Sequence, residues 1–262
     1  MTSAEERQVS RQSDGVRRIL LTGAAGRIGS AFFSHAAERY RFRLADRRTD
    51  NLAAATDQGH EVIALDVADL AACQEACREI DTVVHLAADP SPEADFYSSL
   101  LENNIKGTYN IFRAAKDQGC QRVVFASSIH AVAGYPRDVQ PKTDSPVRPF
   151  NMYGVSKCFG EAVAACFAYG EGLSSIALRI GAYDADWLHQ NPTADSISAY
   201  VSHADLNQLL DRCVETPDVP FAIVHGLSNN RFKRMDISST RDLLGFDPQD
   251  DAFQIFGIPL HD

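Results

Sequence analysis

The sequence predicts an α/β fold, a doubly wound parallel sheet with helices on both faces and a small C-terminal lobe. Short apolar runs alternate with longer amphipathic stretches along the first half of the chain, and the alternation continues in the second half. Strand–helix alternation gives a parallel sheet because each connection crosses over in the right-handed sense. The length of 262 residues suits one such domain, and neither a repeat nor a linker divides it.

Seven apolar runs of four or five residues predict the strands. A glycine-rich turn follows the first run, and the second and third runs end at Asp46 and Asp66. Polar residues and glycines at strand ends are typical of the sheet edge where ligands bind. The predicted strands are Arg18–Leu21, Phe42–Ala45, Glu61–Leu65, Thr82–Leu86, Arg122–Ala126, Ser175–Leu178 and Phe221–His225.

The stretches between these runs have helical periodicity, with apolar residues three and four positions apart. Gly245 ends the last of them, as glycine commonly does. Proline-containing loops at 136–149 and 184–196 interrupt the pattern, and loops of this kind commonly surround a site. The predicted helices are Ile28–Tyr40, Leu70–Arg78, Phe96–Leu101, Gly107–Gln118, Met152–Tyr169, Ala204–Glu215 and Ser239–Leu244.

We therefore expect a single domain over residues 17–262, with the C-terminal lobe formed mainly by 182–203 and 226–262. Residues 1–16 are polar, carry both charge signs and lack the apolar stretch of a secretion signal. They predict a disordered leader.

Composition and charge exclude several classes of partner. The formal net charge of −10 argues against nucleic acid and against an anionic membrane surface. No apolar run reaches the roughly 18 residues of a membrane span, so no membrane partner is expected. The six cysteines are scattered without a CxxC pair or histidines at ligand spacing, which predicts no metal site. Unpaired cysteines fit a reducing compartment, and we expect a cytoplasmic protein.

The first chemical motif is the turn Thr22–Gly29, whose glycines are spaced GxxGxxG between the first strand and the first helix. Glycines let the backbone approach a pyrophosphate, and the helix N-terminus presents free N–H groups and partial positive charge. The position of the turn, more than its spacing, indicates a dinucleotide site.

Asp46 follows the second strand, 23 residues after Gly23. A carboxylate there accepts hydrogen bonds from ribose hydroxyls and repels a 2′-phosphate, which favours NAD over NADP. Arg47 and Arg48 come next and are the type of residue that holds a 2′-phosphate. A solvated strand-end aspartate is the alternative interpretation.

Tyr153 and Lys157 lie four residues apart on a predicted helix, so their side chains share one face. A neighbouring cation favours the phenolate, and we expect it to lower the tyrosine pKa, as a general base for an alcohol requires. Ser128 follows the fifth strand, where its hydroxyl can hold the reacting oxygen.

This set of motifs resembles the extended short-chain dehydrogenase/reductase family, also described as NAD-dependent epimerases and dehydratases. The resemblance runs from about Arg17 to the end of the chain. It implies a Rossmann-type doubly wound parallel sheet with a small C-terminal substrate lobe. It also implies Ser128, Tyr153 and Lys157 as the catalytic set, with Asn104 in support. The implied cofactor contacts are Gly23, Gly26, Arg27, Ile28 and Gly29 at the pyrophosphate, Asp46 at the ribose, Asp66 and Val67 at the adenine, Leu86, Ala87 and Ala88 beneath the middle of NAD, and Asn104, Tyr153, Lys157 and Ile180.

The longer strings YGVSKCFGE, FASSIH, LRIG, SHAD and LGFDP are similar to those of uronate dehydrogenases, compact members that oxidise the C1 hemiacetal of a sugar acid. The similarity implies C1 oxidation of a free sugar, an aldose or a uronate, to a lactone. His130 and Tyr183 are candidate substrate contacts beside Ser128. An epimerase or carbonyl reductase is the alternative enzyme, and an NAD-binding regulator is the alternative outside catalysis.

One departure bears on the substrate. Uronate dehydrogenases carry a serine after the RIG motif and an arginine in the loop that follows, whereas Ala182 stands here and 182–203 contains no Arg or Lys. Without a guanidinium, a carboxylate loses a charge-assisted hydrogen bond. We therefore expect a neutral sugar or small polyol, unless Arg231, Lys233 or Arg234 reaches the site.

The resemblance also implies a homodimer. We expect the helices 107–118 and 152–169 to form a four-helix interface, because each carries apolar residues on more than one face. The residues that suggest this are Ile111, Phe112, Phe159, Val163 and Phe167.

Overall fold

The computed structural model describes residues 15–184 and 186–258. Only the last two residues of the predicted leader, and none of residues 259–262 of the predicted lobe, lie within this range. Seven parallel strands form one sheet in the order β3-β2-β1-β4-β5-β6-β9. Its strands are β1 (Arg18–Thr22), β2 (Arg41–Asp46), β3 (Glu61–Ala64), β4 (Thr82–His85), β5 (Arg122–Ser128), β6 (Ser174–Ile180) and β9 (Phe221–Gly226).

The predicted α/β fold and all seven predicted strands are confirmed. The order of the strands reverses between β1 and β4, which is the point where open sheets of this type bind ligands. Strands β5 and β6 are longer than predicted and stay paired as far as Ser128 opposite Ile180. This extension carries Ser128 to the carboxyl edge of the sheet.

Helices cover both faces of the sheet. The helix bounds are α1 (Arg27–Ala36), α2 (Ala54–Asp57), α3 (Leu70–Ala76), α4 (Gly107–Asp117), α5 (Met152–Glu171), α6 (Asp186–Gln190), α7 (Ala194–Ser198), α8 (His203–Glu215), α9 (Ser238–Leu244) and α10 (Ala252–Ile255), and short 3₁₀ turns form at Asp50–Leu52 and Ile129–Ala131. Helix α9 ends at Gly245, whose φ of +63° is the left-handed value that glycine adopts readily.

Several local features differ from the predictions: α2 and α10 were not predicted, and α1 ends at Ala36 where the prediction extended to Tyr40. The segment Phe96–Lys106 is wound as a π-helix that continues directly into α4, where the sequence predicts a short helix and a break. The loop predicted at 184–196 contains α6 and α7, which lie between the strands β7 (Ala182–Tyr183) and β8 (Tyr200–Val201) of a second, parallel sheet. A two-residue strand is too short to give a periodic signal, so its pairing is visible only in the structure.

The core lies in two layers, one on each face of the sheet, and alternate residues of each strand point into opposite layers. In β1, for example, Ile19 and Leu21 belong to one layer and Leu20 to the other. Helices α1 and α8 cover the first layer, whereas α3, α4 and α5 cover the second. Among the described residues, no helix is both long and apolar enough to span a bilayer.

Four of the five residues that suggested a dimer interface lie in the core of the single chain, and the fifth, Phe159, is half-buried against it. Ile111 and Phe112 have no exposed surface, and Val163 and Phe167 are buried against the sheet. That part of the prediction was wrong, because helices that cover a sheet and also pack on each other bury more than one face within one subunit. The exposed apolar residues of α4 and α5 are different ones, described below.

Candidate active site

The glycine-rich turn between β1 and α1 has the shape of a phosphate-binding loop. Gly23 has a φ of +69°, and a Cβ there would lie 2.8 Å from the Ala87 nitrogen. A Cβ on Gly29 would overlap the Gly23 carbonyl oxygen, so this glycine lets α1 start tight against the turn. The turn is therefore an open cradle of backbone atoms, and side chains at these two glycine positions would obstruct it.

The N-terminus of α1 faces this cradle without a side-chain cap. Gly26 occupies the capping position and supplies no side-chain hydrogen bond, so N–H groups of the first turn remain available to an anion. Ile28 packs against the core layer beneath the helix. The Arg27 guanidinium points towards β7, where it donates to the Tyr183 carbonyl at 3.4 Å and to the Asp184 carbonyl.

Asp46 lies at the end of β2 beside the turn. One carboxylate oxygen accepts from the Ala25 N–H at 3.1 Å and the other from the Arg48 N–H at 3.3 Å. The carboxylate thus stabilises the turn and stays half-exposed, in a position that fits a ribose. Farther along the edge, Asp66 is exposed and Val67 is buried against Gly107.

Leu86, Ala87 and Ala88 follow β4 and are half-buried at the same edge of the sheet. Their backbone approaches the turn closely, since the Ala87 N–H donates to the Thr22 hydroxyl at 3.2 Å. Ile180 ends β6 directly opposite Ser128. These predicted cofactor contacts therefore lie along the carboxyl edge of the sheet, from the glycine turn to the end of β5.

The predicted catalytic set comes together at the end of β5. The Ser128 hydroxyl is close enough to the Tyr153 phenol to affect its pKa, and it accepts from the His130 N–H at 3.2 Å. The Lys157 ammonium is 5.5 Å from the centre of the Tyr153 ring and donates to the Ala126 carbonyl at 2.8 Å. All three side chains of this predicted set are buried.

Burial dominates the ionisation of this set. It raises the pKa of Tyr153, the nearby Ser128 hydroxyl lowers that pKa in part, and the charge of Asp89 raises it further. Burial lowers the pKa of Lys157 to about 8. The expectation of a lowered tyrosine pKa was wrong for this structure, because withdrawal of the phenol from water outweighs the effect of the Ser128 hydroxyl.

Asn104 supports the site from the π-helical segment. Its amide nitrogen donates to the Ser156 hydroxyl at 3.0 Å and to the Asp89 carbonyl at 3.1 Å, and its oxygen accepts from the Asp89 N–H at 2.8 Å. It therefore links the loop after β4 to α5, and its contact on α5 is Ser156, the residue before Lys157. None of its hydrogen bonds reaches Ser128, Tyr153 or Lys157. Asn104 is therefore placed to hold the elements around these side chains in position.

His130 lies beside Tyr153, with 5.4 Å between the two ring centres. Asn151 caps the N-terminus of α5: its side-chain oxygen accepts from the Gly154 N–H at 2.7 Å, which leaves its amide nitrogen to donate to His130 Nδ1 at 3.0 Å. His130 Nδ1 is therefore the acceptor, and the proton of the neutral ring is on Nε2. Burial lowers the pKa of His130, which favours this neutral donor form.

Tyr183 lies away from this cluster, in the lobe. Its ring stacks on His203 at 4.6 Å and lies under the Arg27 guanidinium at 5.1 Å. Its hydroxyl is buried without a hydrogen-bond partner among the described residues. Tyr183 therefore lies next to the first turn of α1. Of the two candidate substrate residues, only His130 lies beside Tyr153.

The three cations considered for an acidic substrate have other partners. Arg234 donates to the Tyr135 and Val139 carbonyls, both at 2.7 Å. Lys233 donates to the Asn230 carbonyl at 2.7 Å, and Arg231 forms an ion pair with Asp251 at 3.5 Å. Within residues 15–184 and 186–258, no group of three or more His, Cys, Asp or Glu side chains is arranged to hold a metal.

Sequence reasoning missed Asp89 and Asn151 as neighbours of the site. Asn151 had a recognisable signal, because asparagine immediately before a helix is a common cap. Asp89 had none, since its role depends on the loop after β4 folding back onto Asn104.

Known proteins share this fold and these motifs. The sequence model of the NAD dependent epimerase/dehydratase family matches residues 19–208. The chain is 36% identical to an NAD-dependent glucose-6-phosphate dehydrogenase of Haloferax volcanii, over 92% of this chain and 97% of that protein. It is 34% identical to an L-arabinose 1-dehydrogenase (NAD(P)(+)) of the same organism, over 90% and 97%. The crystal structure of uronate dehydrogenase from Agrobacterium tumefaciens superposes with a TM-score of 0.83 at 32% identity, covering 94% of this chain and 91% of that one.

The parallel sheet, the glycine cradle and the serine–tyrosine–lysine set define a dinucleotide-dependent enzyme that moves a hydride and a proton. The chain belongs to the NAD-dependent epimerase/dehydratase family. The predicted family, the NAD cofactor and the prediction of an NAD-dependent sugar dehydrogenase are thereby confirmed.

Proposed function

We propose that the chain oxidises the C1 hemiacetal hydroxyl of a free, neutral sugar to a lactone with NAD. The observation that carries the proposal is the grouping of Ser128, Tyr153 and Lys157 at the end of β5, beside a cradle suited to a dinucleotide. The similarity to glucose-6-phosphate, arabinose and uronate dehydrogenases supports a sugar as the substrate class.

The side chains divide the chemistry between them. NAD, when bound, supplies the hydride acceptor. Ser128 donates a hydrogen bond to the reacting oxygen, and Tyr153 takes the hydroxyl proton as the carbonyl forms. The buried Lys157 ammonium, beside the tyrosine ring, stabilises the phenolate that this step requires. Proton removal by a positioned side chain contributes about 10²–10⁴-fold to such reactions.

The charges around the site favour a neutral substrate. The charge of Asp89 acts on Tyr153 and would oppose a carboxylate close to the reacting carbon. The segment 182–203 supplies no Arg or Lys, and Arg231, Lys233 and Arg234 are held by other groups. A sugar hydroxyl, in contrast, is a suitable acceptor for the Nε2–H of His130.

His130 and Tyr183 are retained as substrate contacts in this proposal, with different support. His130 is already adjacent to Tyr153, so a sugar bound at Ser128 comes within its reach. Tyr183 carries a buried hydroxyl without a partner among the described residues, which a polar ligand group would satisfy.

A substrate screen tests the function. Purified protein and NAD are mixed with free aldoses, deoxy sugars, glucose 6-phosphate and uronates, and NADH absorbance is followed beside a Tyr153→Phe control. Turnover of a neutral aldose that the control loses by about 10²–10⁴-fold supports the proposal. Preference for a uronate or a sugar phosphate refutes the neutral-substrate part. Absence of turnover with every sugar refutes C1 oxidation and favours an epimerase, which retains NAD through purification.

The enzyme is further proposed to work in the cytoplasm as a homodimer. Exposed apolar residues follow one face of α5 at helical spacing, where Met152, Val155 and Tyr169 are 46%, 40% and 75% exposed. Tyr109 on the adjacent α4 is also exposed, and exposed apolar residues on two neighbouring helices favour a symmetric partner. The six cysteines are unpaired, which suits a reducing compartment.

A further inference from the structure

A buried ion pair lies behind the catalytic residues. Glu161 on α5 and Arg179 on β6 have side chains that are 4% and 1% exposed. The two carboxylate oxygens accept from Arg179 Nε and Nη2, both at 2.8 Å, which is a bidentate contact. The Ser127 hydroxyl donates to the same carboxylate at 2.6 Å. The catalytic steps use none of these three side chains.

The far end of the pair is closed by a neutral histidine. Arg179 Nη1 lies 3.4 Å from His225 Nε2, and because arginine only donates, Nε2 is the acceptor. His225 Nδ1 then carries the proton and donates to the Asp236 carbonyl at 2.7 Å. Burial lowers the pKa of His225 to about 4, so the ring stays neutral and the network holds one charge of each sign.

This network meets the site at two adjacent positions. Glu161 is one helical turn after Lys157, and Ser127 immediately precedes Ser128. Lys157 joins α5 to β5 through the Ala126 carbonyl, and Glu161 joins the same elements through Ser127. The two links lie side by side, so the helix that carries Tyr153 and Lys157 is fixed to the strand that ends at Ser128.

We infer that Glu161, Arg179 and Ser127 are positioning residues, which set α5 on the end of β5 so that Lys157 stays buried beside Tyr153. A buried ion pair by itself is weak evidence for stability, since apolar residues of similar volume often replace one without loss. Such a pair instead fixes one specific arrangement of the elements that it joins. Here it fixes the position of α5, the helix that carries Tyr153 and Lys157.

The test measures the ionisation of Lys157 in the protein without cofactor. The chain has five lysines, so ¹³C-labelled lysine gives a simple NMR spectrum in which Lys157→Met assigns the one resonance of interest. The titratable groups near the Lys157 ammonium are His85 from β4 and Tyr153 from α5. Burial lowers the pKa of Lys157 to about 8. Loss of burial therefore moves the titration upward, towards 10.5.

The main variant is Glu161→Met with Arg179→Met, which removes both charges together. We expect a melting temperature close to that of the wild type and a Lys157 titration raised by about one pH unit. An unchanged titration in the folded double variant would overturn the inference. Ser127→Ala decides the matter if the double variant does not fold, because it keeps the ion pair and breaks only the link to β5. Its Lys157 titration should move in the same direction.

Ser228→Ala is the matched control. The Ser228 hydroxyl also donates to a buried carboxylate at 2.6 Å, that of Asp205 in the lobe. It should lose similar stability and leave the Lys157 titration unchanged; an equal shift in both serine variants would mean that general loosening, and not positioning, is being measured.

The inference rests on the proposed function only for its kinetic readout. We expect about a tenfold fall in kcat for the double variant with little change in the KM for NAD, as for a misplaced catalytic group. The lysine titration needs neither substrate nor cofactor. A wild-type protein inactive towards all sugars would therefore refute the proposed function alone, and an unchanged titration would refute this inference alone.

Discussion

The ammonium nitrogen of Lys157 donates to the carbonyl oxygen of Ala126 at 2.8 Å in a buried environment. This hydrogen bond is the only one that the described residues give to the ammonium, and burial lowers the lysine pKa to about 8. Near neutral pH the fold therefore holds a protonated lysine with little solvation. Burial of this charge lowers the stability of the fold, and it places a cation beside Tyr153.

The first prediction concerns the pH dependence of stability. Between pH 8 and 10.5 the unfolded lysine keeps a proton that the folded one has released, so the free energy of unfolding rises with pH. We expect the difference between wild type and Lys157→Met, measured by urea unfolding, to grow in favour of the wild type by about 1.4 kcal/mol per pH unit in this window. The contributions of the other titratable groups to the pH dependence cancel when the two unfolding free energies are subtracted. Parallel pH curves for the two proteins would contradict the burial argument.

The second prediction concerns the choice of cofactor. Asp46→Asn keeps an oxygen for the Ala25 N–H and removes the negative charge, so the turn remains while the ribose loses a charged acceptor. We expect the KM for NAD to rise about 10-fold to 100-fold and the discrimination against NADP to fall. Steady-state kinetics with both cofactors measure this, and Asp57→Asn on α2 is the control. Unchanged cofactor preference would mean that Asp46 serves the turn alone.

The sequence was sufficient for the features that depend on short patterns. The seven strands follow from apolar runs, and Tyr153 and Lys157 share a face because of their four-residue spacing. The raised pKa of Tyr153 was not predictable in the same way. It depends on how deeply α5 is buried and on Asp89, which approaches only when the loop after β4 folds back onto Asn104.

Long-range packing also explains the errors at the predicted dimer interface. The pattern of α4 shows that Ile111 and Phe112 are apolar, but not that the sheet and α5 cover both of them. The π-helical winding of Phe96–Lys106 is equally invisible to a search for a period of 3.6 residues. Its effect is to present Asn104 to Ser156 on α5.

The third prediction uses two glycines of α5. A Cβ on Gly160 would overlap the Phe125 ring, whereas a Cβ on Gly170 would meet no atom within 4 Å. We expect Gly160→Ala to lower the free energy of unfolding by about 1–3 kcal/mol, and Gly170→Ala to raise it by about 0.5–1 kcal/mol through helix propensity. Denaturant unfolding checks both. Addition of Phe125→Leu should recover part of the loss at Gly160; additive losses would show that the ring is not the obstacle.

The fourth prediction concerns the proposed dimer. Val155 is 40% exposed near the start of the exposed apolar face of α5, and a symmetric dimer formed through that face would bury this side chain on each subunit. Val155→Glu places a charge there on each subunit, and burial of unpaired like charges disfavours association. We expect light scattering to give a dimer for the wild type and a monomer for Val155→Glu at the same concentration. Leu243→Glu is the matched control, because Leu243 is 45% exposed on α9, away from α4 and α5, and its substitution should leave the dimer intact. A monomeric wild type would refute the dimer itself, whereas a dimer that survives Val155→Glu would place the interface on another face.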